Sequence, residues 1–409
     1  MMITKTSNVK RISRKNIVSP KGFKAAGIHC GLKYRKSDLA LLVSEVPANV
    51  AGVFTTNAFQ AAPLLVTKSV VKETGKMQAV LINSGNANAC TGAQGMKDAL
   101  EMQQLAAEKL GISPNLVGVA STGVIGELLN MEPIHKGIQK IQPCSTIEGS
   151  IQFSQAILTT DTVTKNVAYS TVIDGKEVVI AGTAKGSGMI EPNMATMLAF
   201  VTTDANIESV HLQGALKSIT DLTYNSITVD GDTSTNDMVL VMANGLAGNQ
   251  SLTPAHPDWE AFVEALHAVS QDLAKMIAKD GEGATKLVET EVTGAETDAE
   301  ARMIAKTVVG SPLVKTAVFG SDANWGRIIA AVGRSGAKID PNAIEILIGT
   351  TTVVKNGTPV PFSEEKLLVY LKQPEVKFTV HLNKGLGKGI AWGCDLTYEY
   401  VQINGTYRT

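Results

Sequence analysis

Thr196 stands at the junction of two unlike stretches near the middle of the 409-residue chain. Before it, Lys185-Gly-Ser-Gly-Met-Ile-Glu-Pro-Asn193 is turn chemistry that continues neither a helix nor a strand. From Thr196 to Thr203 the chain is β-branched and apolar and reads as a strand. A threonine hydroxyl held against the preceding carbonyl, that of Ala195, can attack it, move the acyl group from nitrogen to oxygen and let water cut the chain. Thr196 would then be a new N-terminus. A free α-amine has a pKa of roughly 7.7–8.0, so near neutral pH it can act as the base that activates its own hydroxyl. On pattern alone Thr196 also reads as no more than the first residue of a strand.

Three other stretches carry groups that could do chemistry. The run Leu116-Val-Gly-Val-Ala120 opens into Ser121-Thr122-Gly123-Val-Ile-Gly126, residues that turns commonly use. The functional alternative is an oxyanion hole, since an exposed strand end can aim a backbone N–H and a hydroxyl at one point. In Asp280-Gly-Glu-Gly-Ala-Thr-Lys286 the glycines bend the backbone and leave Glu282 exposed, but the full phosphate-loop spacing is missing. Val229-Asp-Gly-Asp-Thr-Ser-Thr-Asn-Asp237 alternates the oxygen ligands Asp230, Asp232, Ser234 and Asn236. It fails as a calcium loop, with Thr235 where glycine is needed and Val241 where glutamate is needed, and reads as a hydrogen-bonded loop. The six histidines show no HxxxH or HExxH spacing and no GxSxG is present, which disfavours zinc and triad hydrolase chemistry. No metal and no cofactor is expected.

The elements that must position these groups read as alternating strands and helices. Apolar runs at 39–43, 52–55 and 79–82 read as strands, and a helical stripe over 99–110 stops at Gly111. A helix is expected around 134–141, and the segment 150–158 leads into the polar turn Thr159-Thr-Asp-Thr162. Asp174-Gly175 between two β-branched runs is a hairpin signal, and that hairpin delivers Lys185. Helices over 208–222 and 259–277, a strand over 238–243, a strand over 287–292 and a helix over 299–308 follow from the same periodicities. Residues 315–319 read as a strand, 322–327 as a turn starting a helix over 328–332. The regions 344–348, 377–382 and 389–404 read mostly as strand, with 385–389 a hairpin loop.

Composition excludes several classes. With 44% hydrophobic and 18% charged residues the chain is an ordinary globular protein, long enough for two domains or one large two-lobed core. A net charge of −1 makes no electrostatic case for nucleic acid or membrane binding. No apolar run approaches the roughly 20 residues of a membrane span. The four cysteines are far apart and fit neither a disulfide framework nor a metal site, so a cytoplasmic location is the simplest reading. Residues 1–37 lack Asp and Glu and carry Lys5, Lys10, Arg11, Arg14 and Lys15, which reads as a frayed basic tail rather than a targeting leader.

The stretch Lys185-Gly-Ser-Gly-Met-Ile-Glu-Pro-Asn-Met-Ala-Thr-Met-Leu198 resembles the processing site of the glutamate N-acetyltransferase (ornithine acetyltransferase) family of arginine biosynthesis. The likeness runs from about Ser19 to Thr409. It is carried further by Ser121–Gly126, Thr159–Thr162, Val229–Asp237, Asp280–Lys286, Asp322-Ala-Asn-Trp-Gly-Arg327 and Tyr407-Arg-Thr409. The resemblance implies a self-cleaved, two-lobed α/β protein of the ornithine acetyltransferase and β-peptidyl aminopeptidase type. Residues 1–195 would form an α chain, and 196–409 a β chain that begins with the nucleophile and includes a smaller C-terminal lobe. It further implies Thr122 and Gly123 as the oxyanion hole, and a substrate site made of Thr159, Lys185, Thr196, Glu282, Asn404 and Thr409. The expected reaction moves acetyl from N2-acetyl-L-ornithine to L-glutamate through an acetyl-Thr196 intermediate, with acetyl-CoA as a second donor. The alternative acceptor is water, which would make the protein an amidase or aminopeptidase. The fragments are expected to stay together as an α2β2 heterotetramer.

Overall fold

The computed structural model describes residues 8–13, 16–191 and 197–406. One sheet is built from β1 (Lys10–Arg11), β2 (Phe23–Ile28), β3 (Leu39–Phe54), β4 (Lys76–Asn86), β5 (Val117–Val124), β6 (Lys165–Ile173), β7 (Lys176–Lys185), β8 (Leu198–Thr203) and β9 (Met238–Ala243). Its order is β1-β6-β7-β8-β9-β3-β4-β5, with β2 paired to β3. The pairs β8/β9 and β4/β5 are parallel and the others antiparallel. The β6–β7 hairpin turns at Asp174-Gly175, both at positive φ (51° and 71°), the geometry that such a two-residue turn demands.

The centre of this sheet is covered on both faces, which is why β8 and β9 read as continuous apolar runs and not as alternating ones. Ala199, Val201, Val239 and Val241 pack with the helices Ser209–Leu222 and Trp259–Lys279. On the opposite face Leu198, Phe200, Met238 and Leu240 join Ile17, Leu64 and Phe153. Each such side chain, fully buried, contributes about 1.5–3 kcal/mol. Phe153 and Phe200 meet edge to face at 5.8 Å.

A second sheet uses β10 (Leu287–Ala295), β11 (Glu345–Ile348), β12 (Thr351–Lys355), β13 (Thr358–Pro359), β14 (Glu375–His381) and β15 (Gly387–Cys394), in the order β13-β12-β11-β14-β10-β15. The helix Asp298–Val309 covers it with Ala301, Ile304, Ala305 and Val308. The two sheets are joined by the helix Trp259–Lys279, whose core also contains Leu287, Trp392 and Cys394 of the second sheet. The protein is thus an α/β fold. Among the described residues no helix is long and apolar enough to cross a membrane, and the four cysteines are free.

Several expectations change. The runs 39–43 and 52–55 are one strand, β3, which absorbs the intervening Pro47 through a register slip between Val43 and Ala48. Residues 315–319 belong to the helix Pro312–Phe319. The five residues Lys315-Thr-Ala-Val-Phe319 show no decisive period, and Pro312 in the first turn favours the helix. The end of the chain is not strand throughout, because Tyr398–Thr406 is a helix with no buried residue and hence no apolar stripe to read. The segment 385–389 is not a hairpin loop, since β10 lies between β14 and β15. In the basic N-terminal stretch Lys10 and Arg11 are not frayed but pair with Ser170 and Tyr169, while Lys5, Arg14 and Lys15 lie outside the described residues.

Candidate active site

The strand β5 ends beside β4 with Ser121, Thr122 and Gly123. Ser121 Oγ donates to Asn83 Oδ1 at 2.5 Å, and Asn236 Nδ2 donates to Ser121 O at 2.8 Å and to Ala87 O at 2.6 Å. Gly123 has φ +135°, and a Cβ there would sit 2.3 Å from the Gly85 carbonyl carbon, so no side chain fits. Lys185 ends β7 with a buried side chain, and its Nζ donates to Thr122 Oγ1 at 3.3 Å. Burial pulls the Lys185 pKa down from its ordinary value; the neighbouring Asp161 charge opposes this, Lys165 adds to it, and Asp237 and Glu282 oppose it.

Glu282 arrives from the far side. The helix Trp259–Lys279 ends at Asp280, and the following turn is tied to the loop after β7 by Glu282 N–H donating to Ser187 O at 3.2 Å. Asn404 Nδ2, on the final helix, donates to Glu282 Oε2 at 2.7 Å. A Cβ on Gly188 would lie 2.3 Å from the Glu282 carboxyl carbon, so the glycine permits this approach. Thr159 donates its N–H to Asp161 Oδ2 at 3.1 Å.

These residues line one cavity of about 190 Å³: Thr122, Gly123, Thr159, Lys185, Glu282 and Asn404 all face it. Ala195, Thr196 and Thr409 lie outside the described residues. Their neighbours Ile190 and Met197 line the same cavity, so both flanks of the expected cut reach it. An ammonium group beside a hydroxyl, facing a carboxylate, suits a small dipolar molecule with an acidic and a basic end.

Sequence reasoning missed the buried charge network behind the cavity. Lys165, fully buried, donates from Nζ to Asp161 Oδ1 at 2.7 Å and to Asp280 Oδ2 at 2.5 Å. Asp161 also accepts the Gly186 N–H at 2.7 Å, and Thr162 donates its hydroxyl to Asp280. Asp161 and Asp280 were visible inside two motifs, but Lys165, the first residue of β6, carries no pattern that marks it as the cation between them. Asp237 was likewise passed over. It lines the cavity, is 3% exposed, and has one carboxyl oxygen without a hydrogen-bond partner among the described residues. Burial pushes its carboxyl well above the ordinary range, with Ser234 and then Lys185 opposing. The oxygens of Asp230 accept backbone N–H groups of Met189 and Ile190, in agreement with the reading of a hydrogen-bonded loop.

The ArgJ family model matches residues 24–409. The chain belongs to the ArgJ family. Curated ArgJ proteins are similar along the whole length: 58% identity over 99% of this chain and 98% of the relative from Geobacillus kaustophilus, named arginine biosynthesis bifunctional protein ArgJ. A relative of the same name from Halalkalibacterium halodurans is 56% identical over 100% of both chains. A crystal structure of ArgJ from Bacillus halodurans is similar at 61% identity with a TM-score of 0.50, covering 51% of this chain but 98% of its own. For this ArgJ-family chain, then, the full-length relatives match end to end, whereas the solved chain matches about half.

Proposed function

We propose that the chain severs itself between Ala195 and Thr196 and that the freed threonine carries acetyl from N2-acetyl-L-ornithine to L-glutamate. Family membership makes the protein an ArgJ acyltransferase of arginine biosynthesis. The observation that carries the finer reading is the convergence in one cavity of Lys185 against Thr122, the Glu282–Asn404 pair, and Ile190 and Met197 from either side of the cut. In the cutting step Thr196 Oγ bonds to the Ala195 carbonyl carbon as the peptide C–N bond breaks, and the hydroxyl proton ends on the released amine. Water then hydrolyses the ester, leaving a carboxylate on Ala195 and the hydroxyl on Thr196. The half-length of the solved Bacillus halodurans chain is in keeping with such a cut, since residues 196–409 are about half of the sequence.

In the transfer step the Thr196 amine accepts the proton of its own hydroxyl, which attacks the acetamide carbon. Thr122 and the Gly123 N–H hold the oxyanion, a contribution on the order of 10²–10³ in rate per donor. Lys185 takes the donor's α-carboxylate and Glu282 its side-chain ammonium, with Thr159, Asn404 and Thr409 closing the pocket. Ornithine leaves with a proton on its amine; glutamate then attacks the acetyl-threonine ester. Acetyl-CoA enters as an alternative donor to the same threonine. Because Lys185 of β7 pairs with Leu198 of β8, the two fragments share a sheet and should remain associated; the α2β2 assembly of two such pairs is expected from family likeness alone.

The test compares wild type with Thr196→Ala by intact mass and by acetyl transfer with acetylornithine or acetyl-CoA as donor. Wild type should appear as two chains parting after Ala195, and the variant as one inactive chain. Normal cutting in Thr196→Ala would defeat the reading. Release of acetate without glutamate, at a rate equal to transfer, would make the protein an amidase.

A further inference from the structure

The loop that follows Val229 holds the chain on both sides of the scission segment 192–196. On the upstream side Asp230 Oδ2 accepts the Met189 N–H at 2.7 Å and Oδ1 accepts the Ile190 N–H at 2.8 Å. The Val229 N–H donates to Ile190 O at 2.7 Å, and Thr233 Oγ1 donates to Glu191 O at 2.8 Å. Downstream, the Met238 N–H donates to Met197 O at 2.9 Å, and β9 then runs in parallel register with β8 from Leu198↔Met238 onward. The same loop is fastened to the oxyanion strand through Asn236, whose amide reaches Ser121 O and Ala87 O. It is fastened to the end of β3 through Thr55, which donates its N–H to Asp237 O at 3.0 Å and its hydroxyl to Ser234 O at 2.9 Å.

One upstream residue is strained. Met189 has φ +56°, a left-handed conformation that is unfavourable for a non-glycine residue and persists only where its surroundings enforce it. The enforcing group is Asp230, which accepts the N–H of Met189 and of the next residue. Nothing in the packing of β9 requires that upstream strain, because the strand begins only at Met238. Attack of a hydroxyl on its own peptide requires reacting atoms about 3–3.5 Å apart and aligned, and an error of about 1 Å can cost roughly 10²-fold.

We propose that the loop 229–238 is a splint for self-cleavage, with Asp230 and Thr233 as its positioning residues: it holds both flanks of residues 192–196 at a set distance from Thr122 and Gly123. The inference rests on the self-cleaving reading given above and assigns it a device. Thr233 does not line the cavity, so its hydroxyl serves the precursor and is dispensable once the chain is cut.

The experiment follows full-length chains made by cell-free translation, converting to two fragments, by intact mass over time. Thr233→Val, nearly isosteric and lacking only the hydroxyl, should slow conversion several-fold, in line with the loss of one hydrogen bond, and Thr233→Ser should restore the wild-type rate. Asp230→Asn, which leaves one acceptor oxygen for the N–H groups of Met189, Ile190 and Asp232, should slow it by about 10-fold or more. Thr233→Val introduced into the uncut Thr196→Ala chain should lower Tm by no more than about 2–4 °C, the share of one hydrogen bond, and fully processed Thr233→Val should transfer acetyl with wild-type kcat and KM. Wild-type cutting rates in both variants, or a fall in Tm in Thr233→Val larger than about 4 °C, overturn the splint alone. A wild-type chain that is active and never cut overturns the splint together with the self-cleaving reading.

Discussion

Two walls of the same cavity treat buried carboxylates in opposite ways. On the wall made by β6, β7 and the turn after the helix Trp259–Lys279, Asp161 is as hidden as any core residue, and burial alone would raise its pKa. The charges of Lys185 and Lys165, with the hydrogen bonds from Lys165 and the Gly186 N–H, outweigh that and hold it well below the usual carboxylate range. Across the cavity Asp237 is equally hidden but under-partnered, and burial wins. Burial therefore does not decide the charge of these groups; the number of donors brought to them does. One wall stabilises its carboxylate with cations and donors, and the other leaves a carboxyl that burial biases toward its protonated form.

The strongest way to break this contrast is to remove the shared cation. Lys165→Met should leave Asp161 and Asp280 buried and unpaired, costing about 3–5 kcal/mol in denaturant unfolding. A loss below about 1 kcal/mol would mean that the first wall does not depend on its ion pairs. Next in size, Lys185→Met removes the ammonium that reaches Thr122, and KM for acetylornithine should rise about 10–100-fold, the span expected for a hydrogen bond to a charged group, with cutting less affected. An unchanged KM would take Lys185 out of the substrate site.

The smallest effect is a difference of slope. For Asp161 the folded pKa is depressed, so its stabilisation is complete above the unfolded value of about 3.9 and is lost as pH falls through the folded value. For Asp237 the folded pKa is raised, so the native state binds the proton more tightly. Its contribution is complete below about 3.9 and is lost as pH rises through the folded value. Tm measured from acid to neutral pH should thus show Asp161→Asn falling further below wild type as pH rises, and Asp237→Asn gaining on it. Slopes of the same sign in the two variants would erase the distinction between the walls.

Much of this site could be read in one dimension. Glycine-rich turns, a strand ending in Ser-Thr-Gly and the Asp174-Gly175 hairpin are local signals, and Thr122, Gly123, Lys185 and Glu282 sit on them. Asn404 had no such signal and entered only by family likeness, because its helix has no buried residue and so no apolar stripe. Lys165 was illegible for a different reason: its partner Asp280 is 115 residues away, and a lysine in a strand pattern looks the same whether it is solvated or paired. The helix Pro312–Phe319 was misread because the stretch 315–319 is too short to reveal a period, while the contact made from it, Lys315 Nζ donating to Cys394 O at 2.6 Å, is again long-range.

The order of residues alone determined where the chain bends, which strands are apolar on both faces and where a threonine follows a break in regular structure, because backbone preference and turn chemistry act over a few neighbours. Only the tertiary structure decided that Thr122, Lys185, Glu282 and Asn404 share one cavity, that Asp161 and Asp237 are perturbed in opposite directions, and that a single loop grips both sides of residues 192–196. Those properties depend on which distant donors and charges are brought within a few ångströms and on how much water is excluded there, and neither is a property of any short stretch of sequence.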